Sequence, residues 1–212
     1  MAILSMPASP RFQAGRLRPR ANSLSFTSPE NKTTQTVERV GSLWILEVSL
    51  PPLHHTDPDA EAWASFLADL DGEAGRFYAG DPFNIAPRGS AAGTPGTPKV
   101  AGANQSGKSL NIDGAPASAT EYLKVGDFFA YDTPSGGRSL HKMTAVAATD
   151  GSGAATLTFA PAITERPADN ADILLSPATC VMKLIDDDQA DPGYDNPFYR
   201  IAFTAIEARN IS

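Results

Sequence analysis

A single cysteine in 212 residues, Cys180, rules out an intramolecular disulfide and any thiolate-based zinc site. Its neighbours Val181 and Met182 are apolar, so a buried structural thiol is expected. Cations are also scarce. Lysine and arginine total 17 against 24 acids, and the net charge of −7 argues against nucleic-acid binding, which needs clustered cations to neutralise phosphates. No apolar run approaches the ~18 residues of a membrane helix, so no membrane insertion is expected. Met1-Ala2-Ile3-Leu4-Ser5-Met6 is short and has no basic start, which argues against a signal peptide. Charged residues make up only 19% of the chain and hydrophobic ones 42%, a globular balance with length enough to bury a core.

Proline (18) and glycine (17) are plentiful, which fits many short strands joined by turns better than long helices. The stretch from Gly41 to Ala79 reads as strand, helix, strand. Ser42 to Leu50 is rich in β-branched and aromatic residues, and Pro51-Pro52 stops it because neither has an N–H for a ladder. Asp57 caps a helix over 57–71, with Pro58 in its first turn and Asp59 and Glu61 at its positive end. Trp63, Phe66, Leu67 and Leu70 fall at i, i+3, i+4 and i+7, one apolar stripe facing a sheet. Gly72 ends the helix, and Arg76 to Ala79 returns as a short strand.

Around this centre the chain divides by composition. Residues 1–22, with scattered prolines and Arg11, Arg16, Arg18 and Arg20, read as an extended arm. Residues 24–26 and 35–40 are strands flanking the turn formers Ser28 to Asn31. Residues 86–98 are rich in glycine and proline and read as a linker. A second β-rich block follows at 99–177. Its strands fall near 124–131, 140–148, 154–160 and 172–175, and Asp150-Gly151-Ser152-Gly153 is a hairpin signal. That is the content of a small barrel or sandwich. Strands at 180–185 and 196–208, separated by an acidic loop with Asp186, Asp187, Asp188, Asp191 and Asp195, complete the first sheet. The expected fold is therefore mainly β with one amphipathic helix. A β-sandwich-like domain (23–85 plus 178–212) is interrupted by an inserted β domain (99–177).

Candidate chemistry is thin. Gly102-Ala103-Asn104-Gln105-Ser106-Gly107-Lys108-Ser109 matches the phosphate-cradling P-loop pattern. Yet a short, proline-broken segment precedes it, and Gly114 and Pro116 stand where a helix should run, so a turn leading into a strand is the preferred reading. The acidic loop lacks the ordered ligand spacing of a calcium site. His54 and His55 lie beside the Pro-Pro turn and His141 in a strand; surface or loop histidines are expected, with adjacent rings pointing apart. There is no Gly-x-Ser-x-Gly elbow. No catalytic, cofactor or metal residue is assigned, and no enzyme is expected. Phe128, Phe129 and Tyr131 would stack on sugars only if exposed.

Three stretches, taken in order, resemble the distal-tail and minor tail proteins of long-tailed bacteriophages. The first is Leu43-Trp44-Ile45-Leu46-Glu47-Val48-Ser49-Leu50-Pro51-Pro52, with the Ala62-Trp63 helix and Arg76-Phe77-Tyr78-Ala79-Gly80-Asp81-Pro82. The second is Gly102 to Gly114, matching a Gly-Lys-Ser/Thr-Leu-Asn-x-Asp-Gly stretch that in that family is not an ATP site. The third is Leu123 to Phe129, then Leu140 to Met143, then Asp150 to Pro161. The resemblance implies a virion protein at the tail tip, assembled in the host cytoplasm. Its first domain would form a hexameric ring between the tail tube protein and the hub and fibre proteins, and the second would project outward. Ring assembly brings edge strands of neighbouring copies together, and 196–208 is the expected edge. Trp44, Trp63, Phe66, Leu70, Phe198, Ile201 and Phe203 are the candidate packing and subunit-interface residues. The alternative function is a carbohydrate-binding module that engages host glycans through 99–177.

Overall fold

A computed structural model describes residues 2–190 and 193–209. Among the described residues the chain is mainly β with one α-helix. Strands β1 (Ile3–Ser5), β2 (Ala14–Thr27), β3 (Thr34–Ser49) and β4 (Leu53–His54) precede helix α1 (Pro58–Asp69), and β5 (Arg76–Ala79) follows it. The middle of the chain holds β6 (Lys99–Val100), β7 (Gly107–Asp113), β8 (Phe128–Asp132), β9 (Arg138–Met143), β10 (Ala155–Ile163) and β11 (Ile173–Leu174). It ends with β12 (Cys180–Leu184), β13 (Gly193–Asp195), β14 (Phe198–Arg200) and β15 (Ala202–Glu207).

The first sheet runs β1-β5-β12-β15-β3-β2, antiparallel except for the β1–β5 pair. Helix α1 packs on it for the reasons its sequence gives. The Asp57 carboxylate accepts from the Asp59 N–H at 3.0 Å, satisfying one of the donors a helix start leaves free. Trp63, Phe66, Leu67 and Leu70 are buried against Phe77, Met182 and Phe203. Phe66 and Phe203 both stand edge-on to Phe77, with ring centroids 5.6 and 6.1 Å away.

The N-terminal residues are part of this core, where an extended arm was expected. Ile3–Ser5 adds a parallel strand beside β5. The Ser9 carbonyl accepts the Trp63 indole N–H at 3.0 Å, and Phe12 lies edge-on to the Trp63 ring at 5.6 Å. Residues 14–22 are the first half of β2. The reason is apolar spacing: Leu4, Met6, Phe12 and Leu17 all pack on the core. Leu17 and Pro19 also alternate with Arg16, Arg18 and Arg20, the period of a strand. Pro19 is tolerated because β2 is an edge strand.

The expected 196–208 strand divides. Phe198–Arg200 pairs with β13 and β4 in a small separate sheet, whereas Ala202–Glu207 joins the main sheet. Ile201 lies buried at the break, its carbonyl accepting from Leu50 N–H at 2.9 Å. The chain changes sheets there, which is why its apolar residues alternate only in part. β15 lies between β12 and β3, paired on both sides, so it offers no edge to a neighbour.

The second sheet runs β11-β8-β9-β10-β7-β6 and curls almost shut. Val100 N–H donates to Ala171 O, and Ile173 N–H to Pro98 O, both at 2.9 Å, bringing β6 against the segment leading into β11. Residues 86–98, expected to be a linker, pack on this barrel. Ala91 is buried in its core, and the Tyr122 hydroxyl donates to the Pro95 carbonyl at 2.6 Å. Strand β8 is the shared wall. Phe128 and Ala130 face the first core, while Phe129 and Tyr131 face the barrel interior, so four consecutive residues are buried with no polar face.

Candidate assembly surface

Of the seven residues expected at packing or subunit interfaces, Trp44, Trp63, Phe66, Leu70, Ile201 and Phe203 lie inside the chain's own first core. Only Phe198 is exposed; its ring stands edge-on to His54 at 5.7 Å. A larger group of exposed apolar side chains lies on the β2–β3 hairpin.

The first sheet holds only the root of that hairpin, since β15 pairs with β3 over Ile45–Ser49 and no further. Beyond the root, Asn22–Thr27 and Thr34–Arg39 pair only with each other. A bulge separates the two parts. Register shifts between Arg20 and Asn22, Gly41 takes φ +114°, and the Asn22 side-chain amide donates to the Val40 carbonyl at 3.0 Å. The tip turn is built locally. Asn31 Oδ1 accepts from both the backbone N–H and the hydroxyl of Thr33, and Ser28 N–H donates to Thr33 O at 2.9 Å.

Strand periodicity sorts the tip into two unlike faces. One carries the cross-strand pairs Ser25–Thr36 and Thr27–Thr34, with hydroxyl oxygens 3.1 and 3.0 Å apart. The other carries Leu24 opposite Val37, with Phe26 next along the strand, and all three are exposed, Phe26 at 65%. An isolated two-stranded ribbon is marginally stable in water, and this one leaves its apolar face uncovered.

The hairpin approaches the barrel along residues 38–42. Lys108 Nζ, on β7, meets Glu38 at 2.8 Å across a cleft of about 220 Å³, whose lining also includes Val40, Gly41, Gly107 and Ala162. This lysine belongs to the P-loop-like stretch. That stretch joins β6 to β7 as a hairpin connection, with a strand following it and no helix. The Gln105 side chain donates to Ala101, Gly102 and Asn111 carbonyls and accepts from Asn111 N–H, and Gly102 N–H is taken by the Asp169 carboxylate. The Gln105 amide thus spans the loop, and the Asp169 carboxylate takes the Gly102 N–H from outside it.

Other residues singled out in the sequence find different places. His141, expected at a surface or loop, is buried in the barrel. Its ring is stacked near Phe129 and Tyr131 and tilted against Phe159 with centroids 4.5 Å apart. Nδ1 pairs with the Pro161 carbonyl at 2.9 Å, Nε2 has no partner among the described residues, and desolvation lowers the pKa to about 4. No sequence signal separated it from an exposed strand histidine, because its burial follows from barrel closure. His54 and His55 are exposed with rings 4.5 Å apart, closer than an extended segment implies, since the strand ends at His54. Asp187 accepts from Glu73 N–H at 2.8 Å; Asp191 lies outside the described residues. Among the described residues, no group of three or more His, Cys, Asp or Glu side chains is placed to hold a metal ion. Burial pushes the Cys180 thiol well above its ordinary pKa, the signature of an inert core thiol. Phe128, Phe129 and Tyr131 are all buried, so none presents a ring to a sugar.

Comparison with protein-family models finds no match, and comparison with curated proteins finds none either.

Proposed function

We propose that this chain is a structural component of a phage tail tip, a hexameric ring subunit that joins the tail tube to the hub and fibre proteins. The observation that carries the reading is the β2–β3 hairpin, which stands beyond its sheet with both backbone edges and an apolar face uncovered. A row of unpaired N–H and C=O groups is a template for another chain, and a solitary molecule gains nothing from displaying it beside Leu24, Phe26 and Val37. The order of sequence stretches that resemble distal-tail and minor tail proteins supports the same reading.

The role of the parts follows. The first core, closed over α1, supplies a stiff base, and the hairpin supplies the reach between subunits. The barrel, anchored by the Trp44 indole N–H on the Leu140 carbonyl and by Arg138 on the Thr179 hydroxyl, is carried outward. Electron microscopy of virions in which this chain bears an epitope label tests the proposal. Label in a single band at the tail tip is the expected result, and particles without label overturn it.

A further inference from the structure

The chain displays a second exposed apolar patch, far from the hairpin tip. Phe83 (64% exposed) and Ile85 project from the loop after β5, and Val125 from the turn before β8. Polar ties hold these two segments together. The Asn84 side-chain amide donates to Gly126 O at 2.9 Å, and Arg88 donates through its guanidinium to Val125 O at 2.6 Å and to the Asp127 carboxylate at 2.8 Å. The loop is also seated on β2: a Cβ on Gly15 would lie 2.6 Å from Pro82 Cγ and 3.4 Å from the Phe83 ring. The Phe83 patch is therefore ordered and lies at the root of the strand whose far end carries Leu24 and Phe26.

Resting on the ring reading above, we propose that the hairpin of one copy docks on the Phe83–Ile85–Val125 patch of the next. Three observations select this occupant. Each patch is a small group of exposed aliphatic side chains around one phenylalanine, the composition of an interface centre rather than of free surface. The strand rises ~36 Å from Gly15 to Phe26, so the two patches of one copy cannot cover each other. Their flanking charges are opposite once the loop-side cations are counted with their partners, since Arg88 pairs with Asp127 and Lys124 with Glu121. Arg20 and Arg39 border the hairpin patch, whereas Asp81 borders the loop patch and orders it by accepting from Phe83 and Asn84 N–H at 2.9 Å. Unlike patches meeting head to tail make a heterologous contact, which continues from copy to copy and closes where the rotation allows.

Sedimentation velocity on the full chain tests this with two exposed substitutions, Phe26→Asp and Phe83→Asp, each first shown to melt like the wild type. The wild type is expected to assemble beyond a dimer as concentration rises. Each variant alone is expected to lose at least about tenfold in association, the effect of removing one buried phenylalanine from a contact. An equimolar mixture is expected to form 1:1 heterodimers that grow no further, because the Phe83→Asp copy brings an intact hairpin and the Phe26→Asp copy an intact loop patch. A mixture that stays monomeric, variants that assemble like the wild type, or a wild type monomeric throughout would each overturn the docking scheme. The tail-tip reading is judged separately, by the labelled particles.

Discussion

The Trp44 indole N–H donates to the Leu140 carbonyl at 2.7 Å, a bond between a strand of the first sheet and a strand of the barrel. Around it the ring stands edge-on to Phe128 at 5.8 Å. The backbone N–H of Trp44 donates to buried Glu207, which also pairs with Arg209 at 3.2 Å. Arg209 reaches on to the Ser42 carbonyl and to Thr164 of the barrel segment. Nearby, Arg138 of β9 bonds Thr179 at 2.9 Å and lies 4.4 Å over the Tyr78 ring. The two cores are joined by an apolar wall with directed hydrogen bonds along its rim.

Trp44→Ala is therefore expected to destabilise by about 3–5 kcal/mol, the range for removing a large buried aromatic. Trp44→Phe keeps most of the packing and leaves the Leu140 carbonyl unpaired, a loss of about 1–3 kcal/mol. Urea unfolding followed by fluorescence and circular dichroism measures both. Alanine is also expected to separate the two cores into distinct transitions, because the contact that couples them is gone.

His141 sets a pH dependence. Its native pKa, lowered to about 4 by burial, lies below the ordinary 6.5, so the unfolded chain binds the proton more readily. The stability from keeping this ring neutral is fully present above about pH 6.5 and is lost as pH falls through about 4, up to roughly 3 kcal/mol in all. His141→Phe is expected to flatten that part of the profile, and the difference between the two melting curves against pH isolates it from the carboxylates.

Asp127 is fully buried and accepts from Arg88 Nε at 2.8 Å, Arg88 N–H at 3.1 Å and Lys124 N–H at 2.9 Å. Asp127→Ala strands two backbone N–H donors and releases a half-exposed guanidinium, and is expected to destabilise by about 1–3 kcal/mol. Arg88→Ala leaves the buried carboxylate without its cation and is expected to be at least as damaging. A double-mutant cycle in urea should show strong coupling between the two, since either change breaks the same network.

Lys108→Ala removes an ion pair whose partners are both well exposed, and its effect on the melting transition is expected to stay within about 1 kcal/mol. ATP and magnesium are expected to leave the melting temperature of both wild type and variant unchanged, because the Gln105 side chain bridges the neighbouring loop and a strand, not a helix, follows it. Differential scanning fluorimetry with and without nucleotide reads this directly.

Some of this architecture was open to inspection in the chain. The Asp57-Pro58 cap and the Trp63/Phe66/Leu70 stripe each rest on residues a few positions apart, and α1 follows from them. The turn at Asp150 is equally local: its carboxylate accepts from the Ser152 hydroxyl and from Ser152 and Ala154 N–H, and those bonds hold its pKa below the usual carboxylate value. The β6–β7 connection was legible for the same reason, since Gly114 and Pro116 forbid the helix a phosphate site needs. The N-terminal strand was missed because its arginines and prolines outweighed the alternation of Leu17 and Pro19 between them.

What the sequence determined alone is the set of local choices: where the helix starts, where the turns fall, which residues alternate, and that one thiol stands without a partner. Tertiary structure decided which strand is left as an edge, how 196–208 divides between two sheets, and that His141 is sealed in a barrel while Phe26 stands in water. Those outcomes follow from pairings between residues tens of positions apart, and a strand carries the same alternation whether its neighbour lies in this chain or in another copy.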